Sequence, residues 1–156
     1  MHLAPEPKPV HPELLFNGYV ISRRAVACGV TLPGWSDRTV SSALASVRED
    51  IVRRSRLPGN DRADMYSVWM AAELDCLLGH QVKTYERPYL NALKRQQRAE
   101  GGVSGGEAGV FDIESTYAAL RVRMLIDKGC SPGWWAGTFG WRELATTPPR
   151  AVGRAR

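Results

Sequence analysis

Apolar residues recur along most of this chain at helical spacing. The cleanest run is Val40, Leu44, Val47 and Ile51, at intervals of four, three and four. Ser36 or Asp37 stands just before it as a cap, so the pattern predicts an amphipathic helix over 37–54. A broader apolar face of Met65, Val68, Trp69, Ala72, Cys76 and Leu77 predicts a helix over 62–79, capped by Asn60 or Asp61. Asp61 and Asp64 suit its positive end, and the small pair Ala71-Ala72 would admit a close helical neighbour.

Glu13 to Cys28 reads as an earlier helix, weakened by Gly18. Leu14, Leu15, Tyr19, Val20, Ile21 and Val26 supply its apolar side. Its β-branched cluster leaves room for a short extended piece around Tyr19–Ile21. Val82 to Glu100 continues helically, with a kink at Pro88 and Arg87 as the cap of a segment over 88–99. Tyr89, Leu90 and Leu93 are expected to face inward. Asp112 caps a helix over 112–128 whose buried stripe is read as Ile113, Tyr117, Leu120 and Met124. Ser131-Pro132 has the form of a cap and first residue for a last short helix.

Together these elements give an all-α fold, a compact single domain of five or six helices over 13–145. Residues 1–12 carry Pro5, Pro7, Pro9 and Pro12 and read as an extended proline-rich arm. Residues 101–109 hold five glycines and read as a linker or mobile hairpin. They lack the lysine and following Ser/Thr of a phosphate-binding loop. Residues 146–156 form a basic tail with Arg150, Arg154 and Arg156.

Charge adds a weak bias. The chain has 21 Lys+Arg against 16 Asp+Glu, a formal net charge of +5, which favours a polyanionic partner or simply solubility. A hydrophobic fraction of 44% argues against wholesale disorder. Cys28, Cys76 and Cys130 show no CxxC spacing and read as small buried hydrophobes of a reduced compartment. No apolar leader and no membrane-length run is evident, so a cytoplasmic protein with no membrane partner is expected.

Two segments resemble the halves of a repressor-type helix-turn-helix: Gly29-Val30-Thr31 and Thr39-Val40-Ser41-Ser42. The resemblance covers about 20 residues. It implies that Arg38, Thr39, Ser41 and Ser42 meet the backbone or base edges of duplex DNA. The intervening Leu32–Asp37 stretch is longer than a tight turn, and Trp35 would have to fix the second helix by burial.

Basic residues extend this reading. Arg87, Asn91, Lys94 and Arg98 fall on one helical face, as a phosphate-tracking line or a solvated surface would. Arg53, Arg54 and Arg56 form a second cluster, and the two gain meaning if they share one surface. Glu73, Cys76 and His80 share a helix face and could each ligate a metal, but three ligands from one helical run rarely suffice. Asp75 and His80 fall on different helical faces, and no Ser-His-Asp or Cys-His set assembles from the spacing. No catalytic residue, metal or cofactor is therefore expected.

Trp134, Trp135, Phe139 and Trp141 lie among the glycines 133, 137 and 140. Such a segment either closes a small core or anchors a protein interface or self-association. The leading expectation is a non-enzymatic DNA-binding or DNA-associated regulatory protein. It would hold phosphates with Arg53, Arg54, Arg87, Lys94 and Arg98 and present Arg38, Thr39 and Ser42 to a groove. The alternative is a protein–protein interaction module (adaptor, inhibitor or assembly subunit) using the Trp-rich segment.

Overall fold

A computed structural model describes residues 10–57, 64–99, 101–103 and 113–130. The described residues form five α-helices: α1 (Pro12–Ala27), α2 (Asp37–Arg54), α3 (Met65–Leu77), α4 (Glu86–Gln96) and α5 (Ile113–Lys128). A 3-10 helix, Val82–Tyr85, leads into α4. Among the described residues the one β feature is an isolated antiparallel bridge between Gln97 and Val103. Residues 1–9 of the arm, the Asn60 and Asp61 caps, 104–109 of the glycine-rich stretch, Asp112 and everything from 131 onward lie outside the described residues.

α3 is the central element and contacts all four other helices. Its sequence is apolar on nearly every side, as a helix surrounded by neighbours requires. Met65, Val68, Met70, Ala71, Ala72 and Leu74 are all buried. It starts later than the sequence suggests, because the cap is Asp64. That carboxylate accepts hydrogen bonds from the Ser67 N–H at 2.8 Å and the Ser67 hydroxyl at 2.7 Å.

α2 follows its pattern. Val40, Leu44, Val47 and Ile51 are its four buried residues, and Ser36 Oγ caps it by accepting from the Thr39 N–H at 3.2 Å. α1 begins with Pro12 at its first turn and stays helical through Tyr19–Ile21, with no extended piece. Packing decides this over the β-branched propensity: Tyr19 is buried, and its hydroxyl donates to Asp37 Oδ1 at 2.9 Å. Leu14 and Ile21, expected inward, are 70% and 60% exposed. Gly18 is the seat for Trp35. A Cβ there would come within 1.9 Å of the indole ring, so this contact needs glycine.

α4 starts at Glu86, which puts Pro88 inside its first turn, where a proline breaks no helical hydrogen bond. The expected mid-helix kink is thereby avoided. Tyr89 is fully buried, while Leu90 and Leu93 pack only partly against the core.

α5 reverses its expected face. Ile113 is 75% and Leu120 61% exposed, and Tyr117 is exposed too. The buried stripe is Ser115, Ala118, Ala119, Val122, Leu125 and Ile126, with Arg121. Small Ala118 and Ala119 let α5 approach α3, its most extensive neighbour. Arg121 on this inner face donates from Nε to Glu73 of α3 at 2.7 Å, and both side chains are buried.

The cysteines depart from the sequence reading. Cys76 in the last turn of α3 and Cys130, two residues beyond α5, form a disulfide with Cα atoms 5.4 Å apart. Cys28 is free and exposed, not buried. No described helix is long and apolar enough to cross a membrane.

Candidate nucleic-acid interface and a buried polar centre

α2 turns its apolar face to the core, so the residues between point outward. Arg38, Ser42, Ala45, Glu49, Arg53 and Arg56 succeed one another at three- or four-residue steps, and all are exposed. Arg38 and Arg53 stand about 22 Å apart along this axis. Ser36 and Thr39 hydroxyls bond each other at 2.8 Å, so the Thr39 side chain is engaged in the cap. Nine residues, 28–36, join α1 to α2, and Trp35 from this joint lies against Gly18.

At the C-terminal end of α2 an open groove of about 750 Å³ separates it from the start of α4. Its walls carry Arg48, Arg53 and Arg56 on one side and Tyr85 and Pro88 on the other, with Glu49 among them. Arg87 is exposed beside Pro88. Of the two basic clusters, Arg53 and Arg56 line this groove, and Arg87 adjoins its Pro88 wall in sequence. Lys94 belongs to a second groove, between α4 and α5, which it shares with Arg123. Asn91 and Lys94 are exposed, whereas Arg98 is half-buried beyond the end of α4.

Arg54 does not join this face. It lines a small cavity beside His11, Pro12 and Asp64, and its Nε lies 2.8 Å from Asp50. Asp50 also pairs with Arg53. The Arg53 side chain is exposed, so its pair is weak and a phosphate can displace it, whereas Arg54 and Asp50 are half-buried. Trp134, Trp135, Phe139 and Trp141 fall outside the described residues.

A buried polar centre, unanticipated from spacing, lies behind the groove. Asp75 of α3 is fully buried. Its Oδ1 accepts from Arg48 Nη1 of α2 at 2.6 Å and lies 2.9 Å from His80 Nδ1. Its Oδ2 accepts from the Tyr89 hydroxyl of α4 at 2.5 Å. Burial, then the neighbouring Asp75 charge, pushes the Tyr89 hydroxyl well above its usual range. The Arg48 guanidinium also lies over the Tyr85 ring, 3.6 Å from its centre.

Asp75 and His80 were expected on different faces. They meet because α3 ends in a Schellman turn at Gly79, whose φ is +76°. His80 N–H donates to Asp75 O at 2.8 Å and Gly79 N–H to Cys76 O at 3.0 Å. This folds the imidazole back over Asp75. His80 Nε2 then lies 3.5 Å from Ser41 Oγ on α2. A Ser-His-Asp series thus does assemble, contrary to the spacing argument. Gly79, at the helix end, was the available signal.

The Glu73, Cys76 and His80 set is dispersed among other partners. Glu73 accepts from Arg121 and from Trp69 Nε1 at 2.9 Å, Cys76 is in the disulfide, and His80 is at Asp75. No group of three or more metal-ligating side chains occurs among the described residues. No protein-family model, curated protein or solved structure matches this chain.

Proposed function

We propose that this chain is a DNA-binding or DNA-associated protein that holds the phosphate backbone of duplex DNA against its α2–α4 side. One observation carries the reading: Arg53 and Arg56 at the end of α2 line the same groove as Pro88, next to the exposed Arg87. Phosphate contacts of this kind position a duplex without reading its sequence. Arg38 and Ser42 continue the outer stripe of α2 toward its N-terminus, where base-edge contact would confer preference. Glu49 opposes phosphate on this stripe and Thr39 is tied to the cap, so any base reading falls to Arg38 and Ser42.

Fluorescence anisotropy with a labelled 20-base-pair duplex tests the proposal. Affinity should fall steeply as salt rises from 50 mM, because bound phosphates release counterions. Arg53→Ala with Arg87→Ala should weaken all sequences alike and flatten the salt slope by about two. Ser42→Ala should alter preference among sequences. Absence of binding at 50 mM salt removes the reading.

A second reading, a protein–protein module, is favoured by the exposed α5 stripe of Ile113, Tyr117 and Leu120. Tyr66 extends it through edge-on contacts with Trp69, which in turn meets Tyr117. Equilibrium sedimentation of the wild type beside Leu120→Lys distinguishes this use of the surface.

A further inference from the structure

We infer that Ser41 is a nucleophile and His80 its general base, giving this chain a second capability, hydrolysis of small carboxylic esters. The inference is independent of the DNA reading and rests on the order of groups through the buried centre. Asp75 accepts from Arg48 and Tyr89 at its two oxygens, so the carboxylate offers acceptor atoms only. The proton at His80 therefore belongs on Nδ1, facing Asp75 at 2.9 Å. That tautomer leaves the Nε2 lone pair toward Ser41 Oγ at 3.5 Å, a separation typical of an unliganded site that tightens on binding.

The environment suits those roles. Asp75 is fully buried and held from three elements, which makes it a positioning residue. The His80 side chain is 27% exposed, and Ser41 is half-buried, so neither is sealed from solvent. The same hydrogen-bonded logic, nucleophile to base to orienting carboxylate, defines activated serines on unrelated folds. A purely structural centre needs Asp75, Arg48 and Tyr89, but has no need of a hydroxyl at the far nitrogen of His80.

In the reaction, Ser41 Oγ bonds to the ester carbonyl carbon while its proton passes to His80 Nε2. The bond from that carbon to the alcohol oxygen then breaks, and the departing alcohol takes the proton from His80. Water, deprotonated by His80, attacks the acyl-serine. The carboxylic acid leaves and the proton returns to Ser41 Oγ. No oxidant or further reactant is needed.

The test is covalent capture by a fluorophosphonate, which phosphonylates activated serines with loss of fluoride. The full chain is treated with the probe and digested, and the adduct is located by mass spectrometry. An adduct on Ser41 is expected, together with a stoichiometric burst on 4-nitrophenyl acetate. Both should vanish in Ser41→Ala, and labelling should slow at least about 100-fold in His80→Gln. His80 is partly buried and bonded to Asp75, so the Gln variant is checked for a native melt. The urea-unfolded chain should not label. Overturning results are no adduct on folded wild type, or unchanged labelling of Ser41 in folded His80→Gln.

Discussion

Removing the bond between Cys76 and Cys130 should cost this domain a large share of its stability. The two residues are 54 apart in sequence, and the link closes α4 and α5 into one loop that starts at the end of α3. In the chain-entropy model, closing a loop of that length removes about 14 cal/mol/K from the unfolded ensemble, or about 4 kcal/mol at 25 °C. A domain of this size is stable by about 5–15 kcal/mol in total. The assay is urea unfolding of the wild type and of Cys76→Ser with Cys130→Ser, each with and without dithiothreitol. With a slope near ~2 kcal/mol per molar urea, the double variant should melt about 2 M earlier. Reductant should bring the wild type down to the same midpoint and leave the variant unmoved. The thiol count supplies the control, because denatured but unreduced wild type should show only the Cys28 thiol. A single reactive thiol with coincident midpoints for wild type and variant would refute the entropic argument, and three reactive thiols would refute the bond.

Gly18→Ala should destabilise by about 1–3 kcal/mol despite the better helix propensity of alanine, since the new methyl meets the Trp35 ring. Adding Trp35→Ala should recover part of that loss, and additive losses in a double-mutant cycle of thermal melts would contradict the contact. Stability should decline as pH rises above 10: burial first, then Asp37, raises the Tyr19 hydroxyl far above its ordinary value, and Tyr89 shifts the same way. The folded state keeps both protons while the unfolded state releases them, so stability present below pH 10 is lost above it. Urea melts from pH 8 to 11 should show this, and Tyr19→Phe should flatten the slope. Arg121→Met should cost about 3–5 kcal/mol by stranding buried Glu73, and adding Glu73→Leu should restore much of it.

The parts of the fold set by local spacing were legible in the chain. The α2 stripe of Val40, Leu44, Val47 and Ile51 is buried as its periodicity demands, and Ser36 caps it. α5 carries two competing apolar stripes. Large side chains at 113, 117 and 120 favoured one, but the closeness of α3 selects the other, where alanines fit. That choice belongs to the partner helix and is invisible locally. Within the candidate site, outward positions such as Arg38, Arg53 and Arg87 follow from helix phase. The meeting of Asp75, His80, Arg48 and Ser41 depends on a chain reversal at Gly79 and on the packing of α2 against α3. The pairing of Cys76 with Cys130 likewise depends on where two helix ends arrive, which an odd count of three cysteines conceals.

One buried carboxylate accepts from α2, from α4 and from the turn after α3. Should any of those segments peel away, Asp75 would be left in the interior with a missing donor, at a cost of several kcal/mol. Local opening of α2 or α4 is therefore expensive in a way their modest lengths do not suggest. The helices are bound into a single cooperative unit, so their slowest-exchanging amide hydrogens should share one opening free energy, equal to that of global unfolding. α1 makes no hydrogen bond to this carboxylate and is held by its packing on α3 and α2 instead. In Asp75→Asn the shared limit should split, with α2 and α4 exchanging ahead of α3.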